Sequence, residues 1–214
     1  MSTGRTTGPR RPNPLRGRVV SAGETPASQG NLANIITVVR ILMAPGFVWL
    51  LLADGGELGP VRWAAAAVFI VAIATDSVDG ILARRRNLVT DLGKILDPIA
   101  DKVLVGGALV GLSILGELPW WVTVVILARE LGITAFRFAV LRSRVIPASR
   151  GGKLKTILQS VTLSMFLVPL TTVVGDWILW VDGVLMTATV VVTVLSGADY
   201  LWKAWRVARR PIAT

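Results

Sequence analysis

The chain has 214 residues, 53% of them hydrophobic and 17% charged, with a formal net charge of +10 and a mean hydropathy of +0.64. A soluble domain of this length is less apolar, and here the apolar residues fall in blocks, which points to a membrane protein. Neither Cys nor His occurs, which excludes disulfides, thiolate chemistry and imidazole acid–base or zinc sites and leaves carboxylates, Lys, Arg, hydroxyls or an oxygen-held metal.

Residues 1–30 are polar and rich in Gly, Pro, Ser, Thr and Arg. With no apolar core ahead of a small-residue cleavage site they do not read as a signal peptide. They read as a disordered basic tail, with Arg5, Arg10, Arg11, Arg16 and Arg18 suited to an anionic membrane surface. Six apolar stretches follow, at about Ile35–Ala53, Val61–Ala83, Ile95–Leu115, Pro119–Leu141, Leu154–Val174 and Trp177–Trp202, each near the length that crosses a bilayer as a helix. Gly- and Pro-containing breakers such as Asp54-Gly55-Gly56 and Gly116-Glu117-Leu118-Pro119 separate them. The expected fold is all-α: a polytopic domain of six transmembrane helices over 31–206 and a short basic tail over 207–214.

Basic residues set the orientation. Arg84-Arg85-Arg86 with Lys94, then Arg142, Arg144, Arg150, Lys153 and Lys155, then Lys203, Arg206, Arg209 and Arg210 mark alternate helix ends. The other loops hold Arg62 with Asp54, Glu57, Glu117, Asp176 and Asp182. Both termini and the charged loops are therefore expected on the cytoplasmic side. With topology accounting for most of the Lys and Arg, the charge gives no reason to invoke nucleic acid. Trp120, Trp121, Trp177, Trp180, Trp202 and Trp205 read as interfacial anchors.

Ionisable residues in membrane helices are costly and usually functional. Here Asp76 and Asp79 close the second stretch, three residues apart, and Asp97 and Asp101 open the third, four apart. Each spacing puts a pair on one helix face, and a short loop makes the two helices antiparallel neighbours. Four unpaired carboxylates so close would repel one another strongly. A hard divalent cation relieves this, and an all-oxygen site suits Mg²⁺, Mn²⁺ or Ca²⁺, with room for two ions. Gly80 and Ala83 keep the helix surface low beside them, as a phosphate ligand needs. Asp91 and Gly93 suit the capped start of the third helix.

Asp76-x-x-Asp79-Gly80-x-x-Ala83-Arg84, eight residues, then Gly93-x-x-x-Asp97-x-x-x-Asp101 resembles the signature of the CDP-alcohol phosphotransferases. The resemblance implies six transmembrane helices, a site open to the cytoplasmic leaflet, and displacement of CMP from a CDP-linked lipid or alcohol by an acceptor hydroxyl. It implies Asp76, Asp79 and Asp97 as metal ligands, and Asp101 at the metal site as general base. Gly80, Ala83, Arg84 and Gly93 would border the CDP moiety of CDP-diacylglycerol, with Arg84 on phosphate. Upstream, Asn34-x-x-Thr37-x-x-Arg40 by itself suits a helix cap and a snorkelling Arg. Beside the signature it is similar to the family's opening segment, which adds Asn34 and Thr37 to the CDP site. The Pro often found before that segment is replaced by Leu32-Ala33.

The acceptor site is sought among the remaining charges. Arg129-Glu130 and Arg137 lie in the fourth stretch, and Gly152-Lys153-x-Lys155-Thr156-x-x-Gln159 opens the fifth. Lys153 and Lys155 alone could be topology markers. Arg129 and Glu130 sit in an otherwise apolar helix and are expected to pair. Together Arg129, Arg137, Lys153, Lys155, Thr156 and Gln159 suit a phosphorylated acceptor better than a neutral alcohol. These segments, with Leu195-Ser196-Gly197-Ala198-Asp199-Tyr200, resemble the bacterial phosphatidylglycerophosphate synthases. That implies transfer of phosphatidyl from CDP-diacylglycerol to glycerol 3-phosphate by a homodimer in a bacterial plasma membrane. The alternatives are a relative using another phosphorylated acceptor such as inositol phosphate, a cation transporter with the aspartates as its ion site, and a structural protein holding lipid through its basic loops.

Overall fold

A computed structural model describes residues 27–85, 91–140 and 150–208. The side chains of residues 27–36, 76–85, 91–98, 137–140, 150, 151, 153, 204, 207 and 208 lie outside that description, as does most of the basic N-terminal tail. Among the described residues there are seven helices and no strand: α1 (Ala27–Asp54), α2 (Pro60–Arg85), α3 (Asp91–Ile114), α4 (Trp120–Val140), α5 (Arg150–Leu167), α6 (Thr171–Val174) and α7 (Ile178–Ala208).

The helix ends follow local chemistry. Beyond α1, Gly55 and Gly56 take positive φ, and the Asp54 carboxylate accepts from the backbone N–H groups of Leu58 and Gly59 at 3.2 Å each. Beyond α3, Gly116 (φ 76°) reverses the chain so that the N–H groups of Glu117 and Leu118 reach the Leu112 carbonyl. The expected fifth stretch is divided. α5 stops at Leu167 because Pro169 has no N–H to continue it, and α6 is a separate turn. α1 starts at Ala27, so Asn34 lies inside the helix and does not cap it. Asp182, expected in a loop, lies in α7 and is buried.

α1 packs against both α2 and α3, α5 against α2, α3 and α7, and α4 against α3 and α7. Inward residues recur at helical spacing: Thr37, Arg40, Ala44, Phe47 and Leu51 on α1, and Ala65, Ala66, Phe69 and Ala72 on α2. The Phe47 and Phe69 rings meet at 5.1 Å. α3 approaches α1 closely through Gly107 and Gly111, four residues apart. A Cβ there would stand 2.7 Å from Val48 Cγ2 and 2.6 Å from Leu51 Cδ2. Close backbone approach at small residues and interhelical hydroxyl bonds are what hold helices together in lipid, where apolar burial alone gives little drive. Ser113–Thr123 (2.7 Å, α3–α4) and Thr162–Thr189 (2.8 Å, α5–α7) supply such bonds.

Arg62 is fully buried. Its Nη1 donates to Glu117 Oε1 at 3.0 Å and Nη2 pairs with Glu117 Oε2. Nε and Nη2 donate to the Leu167 and Phe166 carbonyls at 2.9 and 3.1 Å, carbonyls left over at the end of α5. One guanidinium thus ties α2, the α3–α4 turn and α5 at the end remote from the aspartates.

Two helical segments among the described residues are long and apolar enough to cross a membrane, Thr37–Asp54 and Ile178–Lys203, with shorter apolar runs at Pro60–Thr75 and Leu154–Leu167. The remaining helices carry ionisable groups along their length, such as Asp101 and Lys102 on α3 and Arg129 and Glu130 on α4. All six tryptophans expected at the interfaces are exposed, at 49% or more.

Candidate functional site

Charge gathers at the end of the bundle opposite Arg62. α2 carries Asp76, Asp79, Gly80, Ala83 and Arg84, and α3 carries Gly93 and Asp97. The side chains of all seven lie outside the described residues, as do those of Asn34, Arg137 and Lys153. Asp101, half-buried on α3, is the described member of the aspartate set. Among the described residues α1 is the common neighbour of α2 and α3, and Thr37 and Arg40 are buried on it, 5% and 3% exposed. Arg40 is therefore not a snorkelling side chain.

The best-defined geometry lies next to Asp101. α4 buries Val122, Thr123, Ile126 and Glu130 as one stripe. A lone carboxylate in that position would be costly. Glu130 is instead ion-paired with Lys102 of α3, with Lys155 of α5, and with Arg129 at 3.3 Å. The expected Arg129–Glu130 pair is thus present as part of a larger group. Arg129 Nη2 donates to Ser196 Oγ on α7 at 3.0 Å, and Ser196 Oγ donates to the Thr193 carbonyl. Gly197 makes room for the arginine stem, since a Cβ there would lie 3.2 Å from Arg129 Cγ.

On α5 the inward residues are Lys155 and Gln159, 5% and 3% exposed, followed by Thr162 and Leu163. Gln159 Oε1 has no hydrogen-bond partner among the described residues. Such a buried acceptor is costly unless a ligand's donor meets it. Thr156 is exposed and gives its hydroxyl to the Gly152 carbonyl at 3.1 Å. It is not gathered with Lys155 and Gln159, because one residue along a helix turns the side chain by about 100°. The structure thus unites Arg129, Lys155 and Gln159 and adds Lys102 and Glu130. Sequence reasoning read Glu130 only as the partner of Arg129 and did not place Lys102 in the site, although an ionisable residue directly after Asp101 was a usable signal.

A groove of about 360 Å³ runs between α2 and α5, lined chiefly by Ile70, Ile73, Ala74, Ser160, Ser164 and Met165. It is almost wholly apolar. Two of its lining residues lie close in sequence to charged or polar site residues, Ala74 two residues before Asp76 and Ser160 directly after Gln159.

Residues 30–195 match the family described as CDP-alcohol phosphatidyltransferase. A relative in Mycobacterium tuberculosis (strain H37Rv), named probable phosphatidylglycerophosphate synthase, is 50% identical over 177 residues, 82% of each chain. The CDP-diacylglycerol–glycerol-3-phosphate 3-phosphatidyltransferase of Bacillus subtilis (strain 168) is 39% identical over 191 residues, 82% of this chain and 95% of its own. The protein of that name in Rickettsia typhi is 35% identical over 181 residues, 79% and 94% of the two chains.

Proposed function

The chain belongs to the CDP-alcohol phosphatidyltransferase family, and from that premise we propose that it moves the phosphatidyl group of CDP-diacylglycerol onto glycerol 3-phosphate, giving phosphatidylglycerophosphate and CMP. The names of its bacterial relatives support this. The observation that carries it is the cationic group of Lys102, Arg129 and Lys155 beside Asp101. Cations outnumbering their acid suit a phosphate-bearing acceptor. Gln159 Oε1, buried with no partner among the described residues, suits one that also brings a hydroxyl donor, as a polyol phosphate does and a bare anion does not.

The aspartates Asp76, Asp79, Asp97 and Asp101 would hold the divalent cation the family uses. The donor chemistry fits, being all carboxylate with no nitrogen or sulfur, which favours Mg²⁺ or Mn²⁺, and four carboxylates suit two ions. When bound, the metal supplies neutralisation of the diphosphate and of the leaving phosphate. Asp101 takes the proton of the acceptor hydroxyl. That oxygen forms a bond to the lipid-side phosphorus, the bond from this phosphorus to the bridging oxygen breaks, and CMP departs with the electron pair. Asn34, Thr37, Gly80, Ala83, Arg84 and Gly93 line the CDP moiety. Arg137 and Lys153 complete the acceptor side, from which Thr156 is turned away.

Six spans over residues 31–206, basic tails on either side, and a site and termini facing the cytoplasm agree with the charge asymmetry of the loops. The α2–α5 groove would take one acyl chain of the donor. Filling it with Ser164→Trp is expected to lower kcat/KM for a long-chain donor roughly tenfold, as the loss of a few methylene contacts would. A short-chain donor should lose much less, and equal losses for both would remove the groove from the donor site.

The deciding experiment is CMP release from CDP-diacylglycerol by the purified protein, with glycerol 3-phosphate, inositol phosphate or glycerol as acceptor. Metal-dependent turnover with glycerol 3-phosphate alone is expected. Turnover restricted to inositol phosphate would move the assignment to that acceptor, and turnover with glycerol would remove the need for the cations.

A further inference from the structure

Three cations from three helices converge on one acid. Lys102 of α3, Arg129 of α4 and Lys155 of α5 are all paired with Glu130. Arg129 is anchored in turn to Ser196 of α7, against the gap left by Gly197. The Glu130 side chain is only 11% exposed, and that of Lys155 only 6%. Long cationic side chains this close repel one another, and each would otherwise choose its own rotamer. A shared carboxylate with two oxygens removes that freedom. Oε2 takes Lys102, while Oε1 takes Lys155 and Arg129. The positive charges are fixed before a ligand arrives, three of them around the one carboxylate of Glu130.

We infer that Glu130 is the positioning residue of the acceptor-phosphate site, holding Lys102, Arg129 and Lys155 together beside Asp101, and that Lys102 belongs to that site. This rests on the reading above that the acceptor carries a phosphate. Glu130 does not touch the reacting atoms. It sets where the cations stand, and through them how the acceptor's hydroxyl is presented to Asp101, which precedes Lys102 in the chain. A purely structural Glu130, present only to neutralise buried Lys155, would stabilise the bundle without favouring one substrate.

The test is steady-state CMP release by the full chain in detergent–lipid micelles, with wild type, Glu130→Gln, Glu130→Asp, Lys102→Met and the Glu130→Gln/Lys102→Met double variant. Glu130→Gln is expected to raise KM for glycerol 3-phosphate about tenfold, the effect of losing one charge-assisted contact. KM for CDP-diacylglycerol should stay unchanged, and kcat at saturating acceptor should fall far less than tenfold. Glu130→Asp, which keeps the charge, should recover part of the loss. Lys102→Met should raise the same KM, with little added effect in the double variant, because both act through one group. An acceptor KM unchanged or lowered in Glu130→Gln overturns the inference, as does an equal rise in both KM values. If Glu130→Gln does not accumulate as folded protein, Lys102→Met alone decides, and an unchanged acceptor KM there overturns it. Wild type with no glycerol 3-phosphate turnover would instead overturn the functional reading itself, and this inference with it.

Discussion

Asp97→Asn is expected to lower metal-dependent CMP release about a thousandfold, with folded, membrane-inserted protein retained. The substitution keeps shape and removes one negative charge from a set of four carboxylates. If the set holds divalent cations against a diphosphate, losing a ligand forfeits several kcal/mol of transition-state stabilisation, and about 4 kcal/mol corresponds to that factor. The fold should survive because removing one of several mutually repelling acids lessens their repulsion. Two measurements check it: activity of the purified variant across Mg²⁺ and Mn²⁺ concentrations, and its thermal unfolding beside wild type. Chelation of wild type should give a comparable loss that added Mg²⁺ or Mn²⁺ reverses. Activity within tenfold of wild type in Asp97→Asn would remove Asp97 from the metal site.

The largest stability effect is expected at the other end of the molecule. Arg62→Met should destabilise the bundle by about 3–5 kcal/mol, because it leaves the partly buried Glu117 carboxylate and two α5 carbonyls without their shared donor. For a chain of this size that corresponds to roughly 10 °C in midpoint temperature, readable by tryptophan fluorescence or circular dichroism in detergent. Arg62→Lys should recover only part, since an ammonium cannot reproduce a fork that serves Glu117 and two carbonyls together. The Arg62→Met/Glu117→Met double variant should be less unstable than the sum of the single changes, because no charge is left unpaired. Additive losses would mean that the pair acts as two independent contacts. The kinetic constants of the surviving folded fraction should match wild type, because Arg62 is remote from Asp101 and Glu130.

The two ends of the molecule were unequally legible in its sequence. Helix positions were, because apolar blocks bounded by Gly and Pro punctuate the chain wherever a helix must end. α2 and α4 lie within two residues of their expected bounds and α3 within four, while α7 runs on past Trp202 to Ala208. Less legible were boundaries that do not coincide with the edges of an apolar block. α1 starts at Ala27, several residues before the apolar block that marked it, and Pro169 divides the expected fifth stretch into α5 and α6 although apolar residues continue on both sides of it. The family was legible through the spacing from Asp76 to Asp101, since carboxylates one helical turn apart in an apolar chain have few structural uses.

Apart from the Arg129–Glu130 pair, which charges meet was decided by the tertiary structure. Read in sequence, Thr156 groups with Lys155 and Gln159, yet α5 turns Lys155 and Gln159 inward and leaves Thr156 exposed. Arg62 read as a lone basic residue on an acidic side. It is instead a fully buried clamp, because partners 55 and more residues away in sequence converge on it. Lys102 and Glu130 are 28 residues apart, and no local pattern joins them to Lys155. A sequence fixes a residue's spacing along its own helix. Contact between helices depends on how their faces are turned toward one another, which here follows from Gly107, Gly111 and Gly197 admitting close neighbours and from charges that must find partners away from water.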